Sequence, residues 1–255
     1  MYAQHLFYLI PMLFVAGVLD AIAGGGGIIA LPAYMITGMP IHSAYACNKL
    51  QSGFGTLCSA AKFVKDKYAD IKITLCALPF TILASFLATQ LMMRIDSDTI
   101  KIIILVMIPL AAVMMFLKRK ITSKDVISHP LTVKTVLLSM LAGTLLGSYD
   151  AFFGPGGGTV AMILFSILLS YDLRVGNGNG KIIIFASNIT AMINYIISGH
   201  MIWYIAIPCA VANMIGSYIG ASIAIKKGEK IVFPTMIVVI SLLIVQTVVG
   251  FIISM

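Results

Sequence analysis

The chain has 255 residues, of which 60% are hydrophobic and 10% charged, and a mean hydropathy of +1.04. A soluble domain carries about 25% charged residues, so the composition excludes one and gives an all-α integral membrane protein with several spans. The formal charge of +8 does not point to nucleic acid, because most of the 17 Lys and Arg residues sit in short connections between apolar stretches, where they set orientation in a bilayer.

Eight apolar stretches follow one another: Leu6 to Thr37, Ser43 to Val64, Ile71 to Met93, Ile100 to Leu117, Thr135 to Ser170, Ile182 to Ile197, Met201 to Ile225 and Ile231 to Ile253. The first has no basic flank and no small-residue cleavage site, so it is expected to be mature structure and not a removed signal. Six have the length of single spans, since a crossing takes about 20 residues. The first and fifth, at 32 and 36 residues, are too long, and each is interrupted by glycines. The first interruption is Gly24-Gly25-Gly26-Gly27 after Asp20. The second, 130 positions on, is Gly154-Pro155-Gly156-Gly157-Gly158 after Asp150. Each Gly costs a helix about 1 kcal/mol relative to Ala, so both stretches are predicted to be two helical pieces, a second piece starting near Ile28 or Thr159. Unwound backbone at membrane depth must be buried in protein or line a wet cavity.

Basic residues cluster between the second and third stretches (Lys62, Lys65, Lys67, Lys72), between the fourth and fifth (Lys118, Arg119, Lys120, Lys124, Lys134) and before the last (Lys226, Lys227, Lys230). These connections are predicted to be cytoplasmic. The Gly199-His200 connection lacks Lys and Arg, and the Arg94 to Lys101 connection balances its bases with Asp96 and Asp98, so both are predicted to face outward. The parity closes only if each interrupted stretch crosses an even number of times, as a re-entrant hairpin or as two short spans. With Lys49, Arg94 and Lys101 outside, 14 of the 17 basic residues are then cytoplasmic. The expected architecture is two inverted-topology repeats, residues 1–117 and 135–255, joined by a basic linker at 118–134. Each repeat is a glycine-broken helical hairpin followed by three transmembrane helices, in the inner membrane, with both termini extracytoplasmic. Matched broken segments in inverted halves point to a transport site near the bilayer midplane.

The motifs Gly24-Gly25-Gly26-Gly27-Ile28 with Pro32, Asn48-Lys49-Leu50-Gln51-Ser52-Gly53-Phe54-Gly55-Thr56, Gly154-Pro155-Gly156-Gly157-Gly158-Thr159, Lys181, Ala186-Ser187-Asn188 and Ser198-Gly199-His200 resemble those of the sulfite exporter TauE/SafE family along nearly the whole chain. The resemblance implies an inner-membrane permease for small anions such as sulfite, sulfonates or related organosulfur and carboxylate compounds. The run Val175-Gly176-Asn177-Gly178-Asn179-Gly180 is richer in Gly and Asn than the family pattern.

A helix starting at a break directs unpaired N–H groups and a positive dipole end at it, which favours an anion. Gly25, Gly26, Gly27, Ile28, Gly156, Gly157, Gly158 and Thr159 are therefore the expected substrate-binding backbone, against the alternative that the glycines only permit close packing. Asp20 and Asp150 are proton-coupling candidates or local caps. Lys49 and Lys181, 132 positions apart, are read as anion attractors at the two entrances, against interfacial snorkelling. Asn48 and Asn188 are candidates for the substrate path, with interhelical hydrogen bonding as the alternative. Cys47, Cys58, Cys76 and Cys209 have no metal-ligand spacing, His42, His129 and His200 form no ligand set, and no Walker-type loop is present, so no cofactor, metal or enzymatic role is expected. The expected function is a secondary transporter working by alternating access, with the outward direction that the family resemblance implies. A passive anion channel and a non-transporting scaffold or receptor are the alternatives. A small anion, the lipid bilayer and protons or another co-transported ion are the expected partners.

Overall fold

The computed structural model describes residues 5–96, 99, 100 and 128–228, together with 230, 231, 234, 235, 238 and 241. Its helices are α1 (Leu6–Ala23), α2 (Gly26–Ile36), α3 (Ile41–Lys65), α4 (Ile71–Met93), α5 (Val133–Phe152), α6 (Gly157–Leu169), α7 (Leu173–Ile197) and α8 (Trp203–Lys227), with no strand among the described residues. The expected stretches at Ile100 to Leu117 and Ile231 to Ile253, most of the linker at 118–134 and the two chain ends lie largely outside these residues.

Helices α1, α4, α5, α7 and α8 are long and apolar enough to cross a membrane. The fold is that of an all-α integral membrane protein. Exposed apolar ridges at i, i+4 spacing mark the lipid-facing surfaces: Leu83, Leu87 and Leu91 on α4, Leu137, Leu141 and Leu145 on α5, and Ile207, Val211 and Ile215 on α8. Helix α3 is as long as α7, 25 residues, but buries Asn48, Lys49, Gln51 and Thr56 inside the bundle.

Both long stretches are broken as expected, two residues earlier than predicted. Gly24 ends α1 with φ +78°, and its N–H returns to the Asp20 carbonyl at 2.7 Å, a left-handed helix stop that glycine adopts without strain. In the second break Gly154 and Gly156 take φ +82° and +76° before α6 begins. Helices α2 and α6, of 11 and 13 residues, span about 17 and 20 Å at 1.5 Å per residue, short of a hydrocarbon layer of about 30 Å. The His129 ring, before α5, meets the Leu169 carbonyl at the end of α6, so this hairpin leaves and returns at the same end of the bundle.

One boundary differs from expectation. The helix predicted to begin at Ile182 begins at Leu173 and runs through the Gly/Asn-rich segment. Its glycines are where neighbouring segments come closest: a Cβ on Gly178 would lie 1.9 Å from the Tyr68 carbonyl oxygen, and one on Gly180 2.6 Å from Ala161 Cβ. Packing overrides the low helix propensity of the run.

The packing repeats itself. Helix α1 lies on α8 as α5 lies on α4, and α3 lies on α8 as α7 lies on α4. The corresponding helices α3 and α7 run antiparallel, because Asn188 Nδ2 donates to Ser52 Oγ at 3.2 Å while Gly178 near the start of α7 lies against Phe63 near the end of α3. The starts of α3 and α8 and the ends of α4 and α7 gather at what we call the His200 end, in an apolar cluster with Met39, Ile41, Met92, Tyr195 and Ile205. The opposite, Arg174 end collects the ends of α3, α6 and α8 and the starts of α4, α5 and α7.

Candidate functional site

The two breaks meet inside the bundle. A Cβ on Gly24 would lie 2.1 Å from the Gly158 carbonyl carbon, and one on Gly27 3.0 Å from Pro155 Cα. The backbones thus touch directly, and in this conformation no gap for an anion separates Gly24 from Gly158.

Around that contact stand two ion pairs, each joining one half to the other. Lys49 of α3 bonds Asp150 Oδ2 at 3.0 Å, with 0% and 5% of the two side chains exposed. Lys181 of α7 bonds Asp20 Oδ2 at 2.6 Å, with 0% and 15% exposed. Each ammonium also donates to the backbone carbonyl of the same aspartate. The lysines, expected at the approaches, are at the centre, because each lies eight residues inside its helix.

Asp20 and Asp150, read from the sequence as proton-coupling candidates or local caps, both stand at helix starts. Asp20 Oδ1 accepts from the Gly26 N–H, the first of α2, at 3.3 Å, so a carboxylate occupies that positive helix end. Asp150 stands beside Gly157 at the start of α6, its Oδ1 2.9 Å from where a Gly157 Cβ would be. Ser187 Oγ donates to Asp150 Oδ2 at 2.8 Å and is itself bonded to Ser85. The lysines complement the opposite charge, sitting at the negative C-terminal ends of α1 and α5.

A helix end leaves its last four carbonyls without intrahelical partners, and the end of α1 has each of them satisfied. Lys181 and the Gly24 N–H take the Asp20 carbonyl, Asn177 Nδ2 takes those of Ala21 and Ile22 at 3.0 and 3.1 Å, and Thr159 Oγ1 takes that of Ala23. Asn177 and Lys181 are one turn apart on α7, so a single face of that helix caps α1. Neither the capping by Asn177 nor the support of Asp150 by Ser187 follows from the breaks. The i, i+4 spacing of Asn177 and Lys181 is the available signal.

Of the other expected residues, Gly25 is the N-cap of α2 and Gly156 that of α6. Ile28 is buried with Ala21 and Ile163. Asn48 accepts from Gln51 Nε2 at 2.9 Å, and Asn188 bonds Ser52, so both serve the α3–α7 region next to the ion pairs. Among the described residues no group of three or more His, Cys, Asp or Glu could hold a metal ion.

A helical membrane bundle with two glycine-broken hairpins and buried charges at their meeting point is a polytopic membrane protein built around a polar intramembrane centre. The chain belongs to the sulfite exporter TauE/SafE family, whose model matches residues 9–247, in agreement with the motif resemblance. It is 29% identical over 225 residues, 88% of this chain and 87% of the relative, to a Haemophilus influenzae protein named "Probable membrane transporter protein". It is 27% identical over 224 residues to Escherichia coli "Probable membrane transporter protein YfcA", covering 88% of this chain and 82% of that one. A Sinorhizobium protein named "Probable membrane transporter protein ORF9" is 29% identical over 238 residues, 93% of this chain and 90% of the relative. No solved structure matches the chain. Family and relatives place the chain among multi-pass membrane transporters.

Proposed function

We propose that this protein is a secondary transporter that moves a small anion, such as sulfite, a sulfonate or a related organosulfur or carboxylate compound, across the inner membrane by alternating access of two inverted halves. The observation that carries the reading is the pair of crossed ion pairs. Two lysines and two helix N-termini are the anion-favouring features of the centre, and Asp20 and Asp150 occupy all four. The aspartates act as internal occupants that a substrate anion displaces. Removing one member of a buried pair costs about 3–5 kcal/mol, so an aspartate that gives up its lysine to the substrate takes a proton, which couples anion to proton.

The antiparallel course of α3 and α7 supports inversion. Lys62, Lys65, Lys67, Lys72, Lys134, Arg174, Lys226 and Lys227 fall at the Arg174 end, which supports placing that end in the cytoplasm and the opposite end outside. The outward direction of transport is taken from the family description.

Counterflow in liposomes preloaded with sulfite, thiosulfate, a sulfonate or a short carboxylate tests the reading. The expected result is saturable exchange for at least one of these classes, stimulated by a pH gradient. Flux that rises linearly with concentration and shows no exchange would make the protein a channel, and absence of flux with every class would remove transport of these anions altogether.

A further inference from the structure

The offset of 132 positions that relates Lys49 to Lys181 also relates the closures of the bundle's two ends. At one end the Arg174 guanidinium carbon lies 4.9 Å from the Tyr68 ring centroid. The positions 132 residues away are His42 and His200, whose rings stack at the other end with centroids 5.3 Å apart and planes 26° apart. The neighbouring contact repeats too. Asn179 Oδ1 accepts from the Asp70 N–H at 2.7 Å, and the equivalent Cys47 Sγ approaches the equivalent Ile202 carbonyl at 3.8 Å.

One closure is thus built twice with different chemistry. At the Arg174 end Asp70 also accepts from the Tyr171 hydroxyl at 2.7 Å and from the His129 N–H at 2.9 Å. Burial, and then the bond to Asp70, pushes the Tyr171 hydroxyl well above the ordinary phenol range, so it remains a donor. At the His200 end the equivalents of Asp70 and Tyr171 are Ile202 and Met39, which share an apolar cluster. Here the polar ring contact is the histidine stack itself. His42 and His200 are both partly exposed, and His42 Nδ1 is buried without a hydrogen-bond partner.

We propose that the His42–His200 stack is a proton-operated closure of its end of the bundle, shut while the rings are neutral and opened when protonation sets two like charges face to face. The closure at Arg174 and Tyr68 sets a guanidinium, which stays protonated, on a tyrosine ring, and the pair contains no imidazole to answer to the same range of pH. Among the described residues, the other titratable or charged groups on the elements around the stack are the following. Helix α1 brings His5 and Tyr8, α2 Tyr34, α3 Tyr45 and Cys47, α7 Tyr195 and α8 Cys209. Arg94 and Asp96 flank the Ile95 backbone beside His42. Their charges offset, and Asp96 already accepts from the Thr99 hydroxyl at 2.6 Å and from its N–H at 3.0 Å.

The inference rests on alternating access only for its consequence in transport, so the test reads opening without flux. Cys47 is fully buried against this closure. In protein whose only cysteine is Cys47, with Cys58, Cys76 and Cys209 replaced by Ala, its labelling by an impermeant maleimide is measured in liposomes from pH 7.5 to 5.5. Each rate is divided by that of the His42→Gln, His200→Gln variant to cancel thiol ionisation. The ratio is expected to rise several-fold as acidification protonates the stack. A His42→Arg, His200→Tyr variant copies the other end and is expected to fold and to give a ratio without pH dependence. A flat ratio for the wild-type rings, or an equal rise in the Arg–Tyr copy, overturns the proposal. A pH-dependent ratio in a protein that transports nothing leaves the closure standing and removes the transport reading.

Discussion

At the residue scale the central fact is that two lysines with no exposed surface each hold the aspartate of the other half. Lys49 and Asp150 form the more enclosed pair, so Lys49→Gln, which strands a buried carboxylate, should lower stability by about 3–5 kcal/mol. Adding Asp150→Asn should recover most of that loss, because an amide needs no cation. Thermal unfolding in detergent of the two single variants and the double variant measures the coupling, and additive losses would mean that the pair does not act as a unit. The sequence already shows an acid before each break and a lysine at equivalent positions of α3 and α7. It does not show that each lysine crosses to the other half, since that depends on the antiparallel contact of α3 with α7, which no local pattern encodes. The opposite signs of the two matched sets are the clue that was present: four buried charges of zero net sum are more economically paired with each other than left at separate entrances.

At the element scale the broken hairpins are legible because an apolar stretch of 32 or 36 residues exceeds one crossing and glycines interrupt it. The start of α7 is not legible, because Gly and Asn are poor helix formers and the forces that override them lie in α6 and in the loop at Tyr68. That account makes two glycines of one helix pair behave oppositely. Gly178→Ala places a Cβ 1.9 Å from the Tyr68 carbonyl oxygen and should destabilise by about 1–3 kcal/mol or prevent folding. Gly53→Ala on α3 meets Asn188 Cβ at 3.5 Å, an ordinary contact, and should be neutral or stabilising by up to about 1 kcal/mol through helix propensity. Melting temperatures of the two variants decide it. Equal losses would indicate that the run is helical for some reason other than close approach.

At the scale of the whole molecule, charge distribution and parity anticipate which connections gather at each end: the described basic connections meet at the Arg174 end, while the Gly199-His200 turn and the end of α4 meet at the other, where Ser198 Oγ approaches Met93 Sδ at 3.2 Å. Equivalent contacts at the two ends, two breaks in backbone contact and two crossed ion pairs between them put the carboxylates at the centre of the bundle. If those carboxylates occupy the places of the transported anion, removing a carboxylate and removing a lysine must act in opposite directions on anion binding. Calorimetric titration of purified Asp20→Asn and Lys181→Gln variants, folding confirmed, with the anion that supports exchange in liposomes measures this directly. The account predicts that Asp20→Asn binds the anion about tenfold or more tightly than the unaltered protein, because a competitor is gone, and that Lys181→Gln binds it at least about tenfold more weakly, for one lost charge-assisted bond. Weaker binding in both variants, or no change in either, would contradict it.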